Sequence, residues 1–253
     1  MSLNIKSKES ADSCDCLALG EVMLRFDPGV QRINKANNFD VHVGGGEYNV
    51  VQGLSSCFGL NTTILTSLVD NEVGQLIASM IASSGVDRRW INWQKFDGIG
   101  QQARNGTYFM ERGFGVRGAN AVMDRGHSAI SKLQVNDIDW QNIFQQIQPR
   151  WFHVGGVMAG LSEQSPDVVE AAMLAAKAVG AIVSYDLNYR HSLWANRGGK
   201  EAAAVIDSRL IKHADVLFGV NNLKQNIQTL DVDVFSQALL ETKQRYPNLK
   251  SIV

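Results

Sequence analysis

Arg150 to Leu187 reads RWFHVGGVMAGLSEQSPDVVEAAMLAAKAVGAIVSYDL. A short apolar run, RWFHVGGV, is followed by a long alanine-rich run and then by a second short apolar run, AIVSYDL. The middle run carries Pro166 at its start, where a helix has no use for the missing N–H. Its alanines suit a helix packed closely on a sheet. Continuous apolar strands joined by helices are the pattern of parallel strands covered on both faces.

The alternation extends outward. Downstream, GGKEAAAVIDSRLIKHA (Gly198–Ala214) reads as a helix and DVLFGV (Asp215–Val220) as a strand. DVFSQALLETKQRY (Asp233–Tyr246) is again helical, and LKSIV (Leu249–Val253) begins another strand. Upstream, CLALGEVMLRF (Cys16–Phe26) reads as one buried strand. EYNVVQGLSSCFG (Glu47–Gly59) reads as a helix with Val50, Leu54 and Cys57 on its inner stripe and Gly59 as its stop. NTTILTSLVD is a strand, and NEVGQLIASMIASSGV is a helix capped by Asp70 or Asn71 and closed by Gly85. The expected fold is α/β, a doubly wound and mostly parallel sheet. QRINKANNFDVHV (Gln31–Val43) and RNGTYFMERG (Arg104–Gly113) alternate polar and apolar positions. They are expected to pair with each other as a small β lid, inserted near residues 28–43 and 100–124 of a domain spanning 16–253. Residues 1–15 are expected to form a disordered tail.

Lys and Arg number 24 and Asp and Glu 25, a balance with no global drive toward nucleic acid or an acidic membrane. No run has the length of a membrane span, and the N-terminus lacks an apolar signal core. Cys14, Cys16 and Cys57 are odd in number and lack metal-ligand spacing, which suggests reduced thiols in a cytoplasmic protein.

In doubly wound sheets ligands sit at the carboxyl ends of strands. Four segments fall there: VGGGEYN, NGTYF with Tyr108, MDRGHSAIS with Asp124, Arg125 and His127, and SYDLNYRHSLW with Asp186, Asn188, Tyr189 and Arg190. The glycines at 44–46 allow close approach of a ligand or of a neighbouring strand, and spacing alone does not separate the two. Arg125 and Arg190 can grip carboxylate or phosphate through a planar fork. The bland alternatives are an Arg125–Asp124 ion pair on a solvated turn, a salt bridge for Arg190 and aromatic packing for Tyr108. His127 reads as the end of a turn, and the histidine spacing gives no metal site.

Together, GGGEYNV, DRGHSA and DLNYRHSLW resemble the ribokinase-like (PfkB) carbohydrate kinase family, and within it the 2-keto-3-deoxygluconate kinase branch. The resemblance covers roughly residues 16–253. It implies ATP-dependent phosphorylation of a small sugar or sugar acid, with ATP and Mg2+ as cofactors and a homodimer formed through the lid. Gly45, Gly46, Glu47, Tyr48 and Asn49 would lie against the sugar, with Tyr108 bonding it and Arg125 meeting its acid group. Arg190 would lie between substrate and ATP phosphates, beside Asn188 and Tyr189. The substrate implied first is 2-keto-3-deoxygluconate. Fructose, 5-keto-2-deoxygluconate and a non-catalytic sugar-binding or regulatory role are the alternatives.

Two parts of the family pattern are missing. GVNNLKQ (Gly219–Gln225) has no carboxylate where the family places an N-x-x-E loop that organises magnesium. No GAGD segment, with its anion hole and its aspartate base, occurs before Val253. The chain therefore reads as lacking its C-terminal part, and as inactive by itself. No catalytic residue and no metal ligand is assigned within it.

Overall fold

The computed structural model describes residues 3–8, 10–220 and 231–253. In chain order the elements begin β1 (Cys16–Leu19), β2 (Met23–Asp27), β3 (Asp40–Gly44), α1 (Gly46–Phe58), β4 (Thr62–Asp70) and α2 (Glu72–Ser83). They continue with β5 (Ile91–Lys95), β6 (Thr107–Glu111), β7 (Asn120–Asp124), α3 (Trp140–Ile147), β8 (Trp151–Gly155), α4 (Gly156–Ala159) and α5 (Ser165–Ala178). The last are β9 (Ile182–Asp186), α6 (His191–Trp194), α7 (Gly199–Leu210), β10 (Val216–Phe218), α8 (Val232–Arg245) and β11 (Ser251–Ile252). They form two compact units, Met1–Leu19 with Gln134–Val253, and Gly20–Leu133. The expected α/β class with mostly parallel strands is what the chain adopts. Among the described residues no helix is long and apolar enough to cross a membrane.

In the first unit, β1, β8, β9, β10 and β11 are parallel neighbours in that order. The alanine-rich α5 buries Val168, Val169, Ala172, Met173 and Ala176, small enough to bring the helix close to β8 and β9. Phe144 of α3 meets Phe152 of β8 edge to face at 5.4 Å, a favoured aromatic geometry. The side chains of Asp139 and Asp231 cap α3 and α8 by accepting backbone N–H bonds. Of the tail expected to be disordered over 1–15, several described residues are held against the first unit. Arg150 donates to the Lys6 carbonyl and to Asp15, Lys8 also pairs with Asp15, and Cys14 and Asp15 are buried.

Two buried titratable groups of this unit set an acid response of opposite signs. His153 shares a hydrogen bond with Ser184 at 2.9 Å, and burial lowers its pKa from 6.5 to about 4. The unfolded imidazole binds the proton that the folded one refuses. His153 therefore costs about 3 kcal/mol of stability as pH falls from 6.5 to about 4. Asp207 accepts a bond from the Tyr185 hydroxyl at 2.7 Å, and burial raises its carboxyl from 3.8 to about 6. Its contribution, again about 3 kcal/mol, is complete below pH 3.8 and lost as pH rises through 6. The two nearly cancel between pH 4 and 6. Asp207→Asn is expected to uncover the His153 term as a loss of about 3 kcal/mol between pH 6.5 and 4. Urea denaturation across that range checks it, and a flat profile in the variant would mean that His153 titrates normally.

In the second unit, β4 and β5 are parallel, and a separate mixed sheet runs β3, β2, β6, β7. Asn71 caps α2 by accepting from Gly74 N at 2.9 Å, and Gly59 closes α1 with φ +64°. The core gathers Ile64, Leu65, Leu68 and Val69 of β4 with Ile77, Ala78 and Ile81 of α2. Three expectations are corrected in this unit. Cys16–Phe26 is not one strand, because the chain breaks at Gly20–Val22 and β2 joins the small sheet. Gln31–Val43 and Arg104–Gly113 both contribute to the small sheet but do not pair directly, since β2 lies between β3 and β6. The inner stripe of α1 is Glu47, Tyr48 and Val51, while Val50 and Cys57 are exposed.

Candidate functional site

In the second unit the site is built around a break in an apolar run. Glu21 sits between β1 and β2 and is 2% exposed. Its carboxylate pairs with Arg125 Nη2, and the Arg125 side chain is itself only 14% exposed. A Cβ on Gly106 would lie 2.9 Å from Met23 Cγ and 3.1 Å from Glu21 Oε1, so glycine there leaves room for both side chains. The loop before β6 is fixed by Asn105, whose side-chain carbonyl accepts from Val69 N at 2.9 Å and whose amide donates to Asn71 Oδ1 at 3.1 Å. On β6, Tyr108 is half-buried, and its hydroxyl fills the space where a Cβ on Gly44 would stand. Burial raises the Tyr108 phenol pKa, and the charge of Arg25 opposes the shift. Arg25 is the register partner of Tyr108 on β2 and is held by the buried Asp27 at 2.7 Å.

Arg125 does not pair with the adjacent Asp124. That carboxylate is taken by Arg104, which also donates from Nε to the Gly126 carbonyl at 2.8 Å and so staples the turn after β7. His127 closes that turn at φ +57°. Of the run expected against a sugar, Gly46 and Asn49 lie on the accessible face, and Asn49 Oδ1 accepts from Gly45 N at 3.4 Å. The rest of the run is corrected. Tyr48 is fully buried, with its hydroxyl 3.1 Å from Ser84 Oγ, so it is a core residue. Glu47 is buried against Gly20, and a Cβ on Gly45 would strike the Glu21 carbonyl. Packing thus gives glycine at 45 a reason of its own. Glu21 and Arg25 were missed by sequence reasoning; their signal is a charge inside an apolar run.

In the first unit, Asn188, Tyr189 and Arg190 follow β9. Asp186 Oδ1 accepts from Asn188 N at 3.2 Å, and Asn188 has φ +31°, a region asparagine tolerates. Burial raises the Asp186 carboxyl pKa, opposed by this bond and by the charge of Arg190. Lys200 Nζ lies 5.8 Å from the centre of the Tyr189 ring. Arg190 is exposed and makes no ion pair among the described residues. Leu193-Trp194 of the motif is packing, since Trp194 is buried and its indole abuts Gly160. An exposed guanidinium beside a cation-flanked tyrosine fits a polyphosphate. Asp186 offers one carboxylate, and magnesium held mostly by phosphate oxygens and water needs one or two. Among the described residues no group of three or more His, Cys, Asp or Glu side chains gathers to hold a metal. The expectation about Asn221, Asn222 and Leu223 lies outside the described residues.

Parallel strands with polar loops at their carboxyl ends, together with a small mixed sheet bearing Tyr108, define a ribokinase-like α/β protein. Residues 14–224 match the model of the pfkB family of carbohydrate kinases, and the chain belongs to that family. It is 24% identical over 222 residues to a 2-dehydro-3-deoxygalactonokinase of Haloferax volcanii, covering 87% of this chain and 65% of that protein. It is 28% identical over 254 residues to a probable fructokinase-7 of Arabidopsis thaliana, covering 99% and 68%. Among solved structures, a 2-dehydro-3-deoxygluconokinase from Thermotoga maritima superposes with TM-score 0.82 at 32% identity, covering 95% of this chain and 70% of that one. The chain thus spans about two thirds of the length of these relatives.

Proposed function

We propose that the protein takes part in ATP-dependent phosphorylation of a sugar acid, with 2-keto-3-deoxygluconate as first candidate. The observation that carries this reading is the Arg125 guanidinium, mostly buried, oriented by Glu21 and presented from a turn beside the sheet that bears Tyr108. A guanidinium in a dry site suits a carboxylate ligand. The names of the Haloferax and Thermotoga relatives, both kinases of keto-deoxy sugar acids, support the same class.

In this reading Arg125 binds the acid group, and Tyr108 and Asn49 bond sugar hydroxyls. Arg190, with Asn188 and Tyr189 beside it, receives the phosphates of ATP, and Asp186 supplies a carboxylate toward Mg2+. MgATP supplies the phosphoryl group, and positioning and charge neutralisation account for most of the catalysis in such transfers. The test is calorimetric titration and ADP production with a panel of 2-keto-3-deoxygluconate, its galacto isomer, 5-keto-2-deoxygluconate and fructose. Preference for the first two supports the reading. Preference for fructose overturns the sugar-acid class.

The proposal includes a homodimer formed through the small sheet. Its edge strand β7 is exposed at every residue, including Val122 and Met123. Exposed apolar edges invite pairing with another chain. Val122→Lys is expected to convert a dimer to a monomer in analytical ultracentrifugation. A monomeric parent protein would refute the dimer.

A further inference from the structure

We propose that Glu21 is a positioning residue. It holds the Arg125 guanidinium in the one orientation that receives the acid group of the ligand. The proposal rests on the sugar-acid reading above. Glu21 lies in the three-residue break between β1 and β2, with its carboxylate sealed from solvent. Beyond the ion pair to Arg125, neither Oε1 nor Oε2 has a hydrogen-bond partner among the described residues. Gly106 leaves room for the Met23 and Glu21 side chains, and Gly45 lies against the Glu21 backbone carbonyl. Two glycines therefore border Glu21, one beside its carboxylate and one beside its backbone.

Stability alone does not account for this arrangement. Taking a carboxylate and a guanidinium out of water costs about as much as their attraction returns. Orientation does account for it. Arginine has several side-chain torsions to lose, and a fork binds a carboxylate well only when its plane is set beforehand. Among the described residues no other acid pairs with Arg125, and Asp124 next to it in sequence is engaged by Arg104. The small sheet shows the same device in Asp27, whose fully buried side chain holds Arg25 and Arg112 at 2.7 and 2.9 Å.

The test is a double-mutant cycle read by calorimetry on the 253-residue protein, with 2-keto-3-deoxygluconate and fructose as probes. Glu21→Ala is expected to weaken acid binding by about tenfold or more, and Glu21→Gln, which keeps an acceptor oxygen, by about threefold. Fructose binding should change by less than about twofold, and neither substitution should weaken acid binding further in an Arg125→Ala background. A residue that served only folding would reduce both ligands in both backgrounds. If Glu21→Ala fails to melt cooperatively, the cycle is completed with Glu21→Gln. Unchanged or tighter acid binding in Glu21→Gln would show that Glu21 merely neutralises Arg125, and would overturn the proposal. Equal losses in both backgrounds would overturn it as well. A wild-type protein that does not bind the acid at all overturns the sugar-acid reading, and this inference with it.

Discussion

Arg125→Ala is expected to weaken sugar-acid binding by about 2–4 kcal/mol, the usual cost of truncating one partner of a buried charge pair. A neutral sugar such as fructose should lose far less. The same substitution should also lower folding stability by about 3–5 kcal/mol, because it leaves a sealed carboxylate uncompensated. That carboxylate is Glu21, which has no hydrogen-bond donor among the described residues to replace the guanidinium. Arg125→Lys separates the two effects. It keeps the charge opposite Glu21, so most of the stability should return, but it loses the planar fork, so acid affinity should stay low. Calorimetry with both ligands and urea denaturation of all three proteins make the comparison. Equal losses for acid and fructose would remove Arg125 from acid recognition. Unchanged stability would mean that Glu21 does not depend on it.

The parts of this molecule that were legible in its sequence are those that short-range pattern dictates. From Arg150 onward the strand runs are mostly apolar and each long helix is opened by a proline, glycine or polar cap, so the alternation reads directly. Arg190 follows β9 of the parallel sheet, where such sheets bind ligands, whereas Tyr108 lies within β6 and Arg125 follows β7 of the small sheet, placements that the strand-end rule does not give. The failures share a different cause, which is pairing between residues distant in the chain. Cys16–Phe26 reads as one strand because hydrophobicity does not reveal that its two halves enter different sheets. The charge at Glu21 was the available sign of the break. The α1 stripe was misplaced because Glu47 is buried against Gly20, a contact that no helical period predicts. Asp124 misleads in the same way. It is the nearest acid to Arg125 in sequence, yet the strand pairing of β6 and β7 delivers it to Arg104.

The three glycines at 44–46 raise the question of whether they serve a ligand or the fold, and Gly45→Ala answers it. Gly45 has φ 173°, extended backbone open to any residue, so a substitution there meets no conformational penalty. The penalty is space. A Cβ would fall under 3.0 Å from the Glu21 carbonyl oxygen, 3.1 Å from its carbon and 3.5 Å from Tyr48 Cβ. Neither neighbour yields easily, because one is backbone fixed between β1 and β2 and the other is a fully buried side chain. Gly44 differs, since its Cβ would meet only the hydroxyl end of Tyr108, which can swing. Overfilling a packed site ordinarily costs about 1–3 kcal/mol, and a clash with fixed backbone lies at or above the top of that range. A loss of about 3 kcal/mol or more should lower the melting temperature by roughly 6–12 °C in a chain of this size. Acid binding should fall too, because displacing Glu21 displaces Arg125. Gly53→Ala is the control. Gly53 lies inside α1 with nothing within 4 Å of the added Cβ. It should therefore stabilise the protein by about 0.5–1 kcal/mol through helix propensity. Scanning calorimetry of the two variants beside the parent gives shifts of opposite sign if packing is the reason for Gly45. A Gly45→Ala protein that melts like the parent but no longer binds the sugar acid would show that this glycine makes room for the ligand.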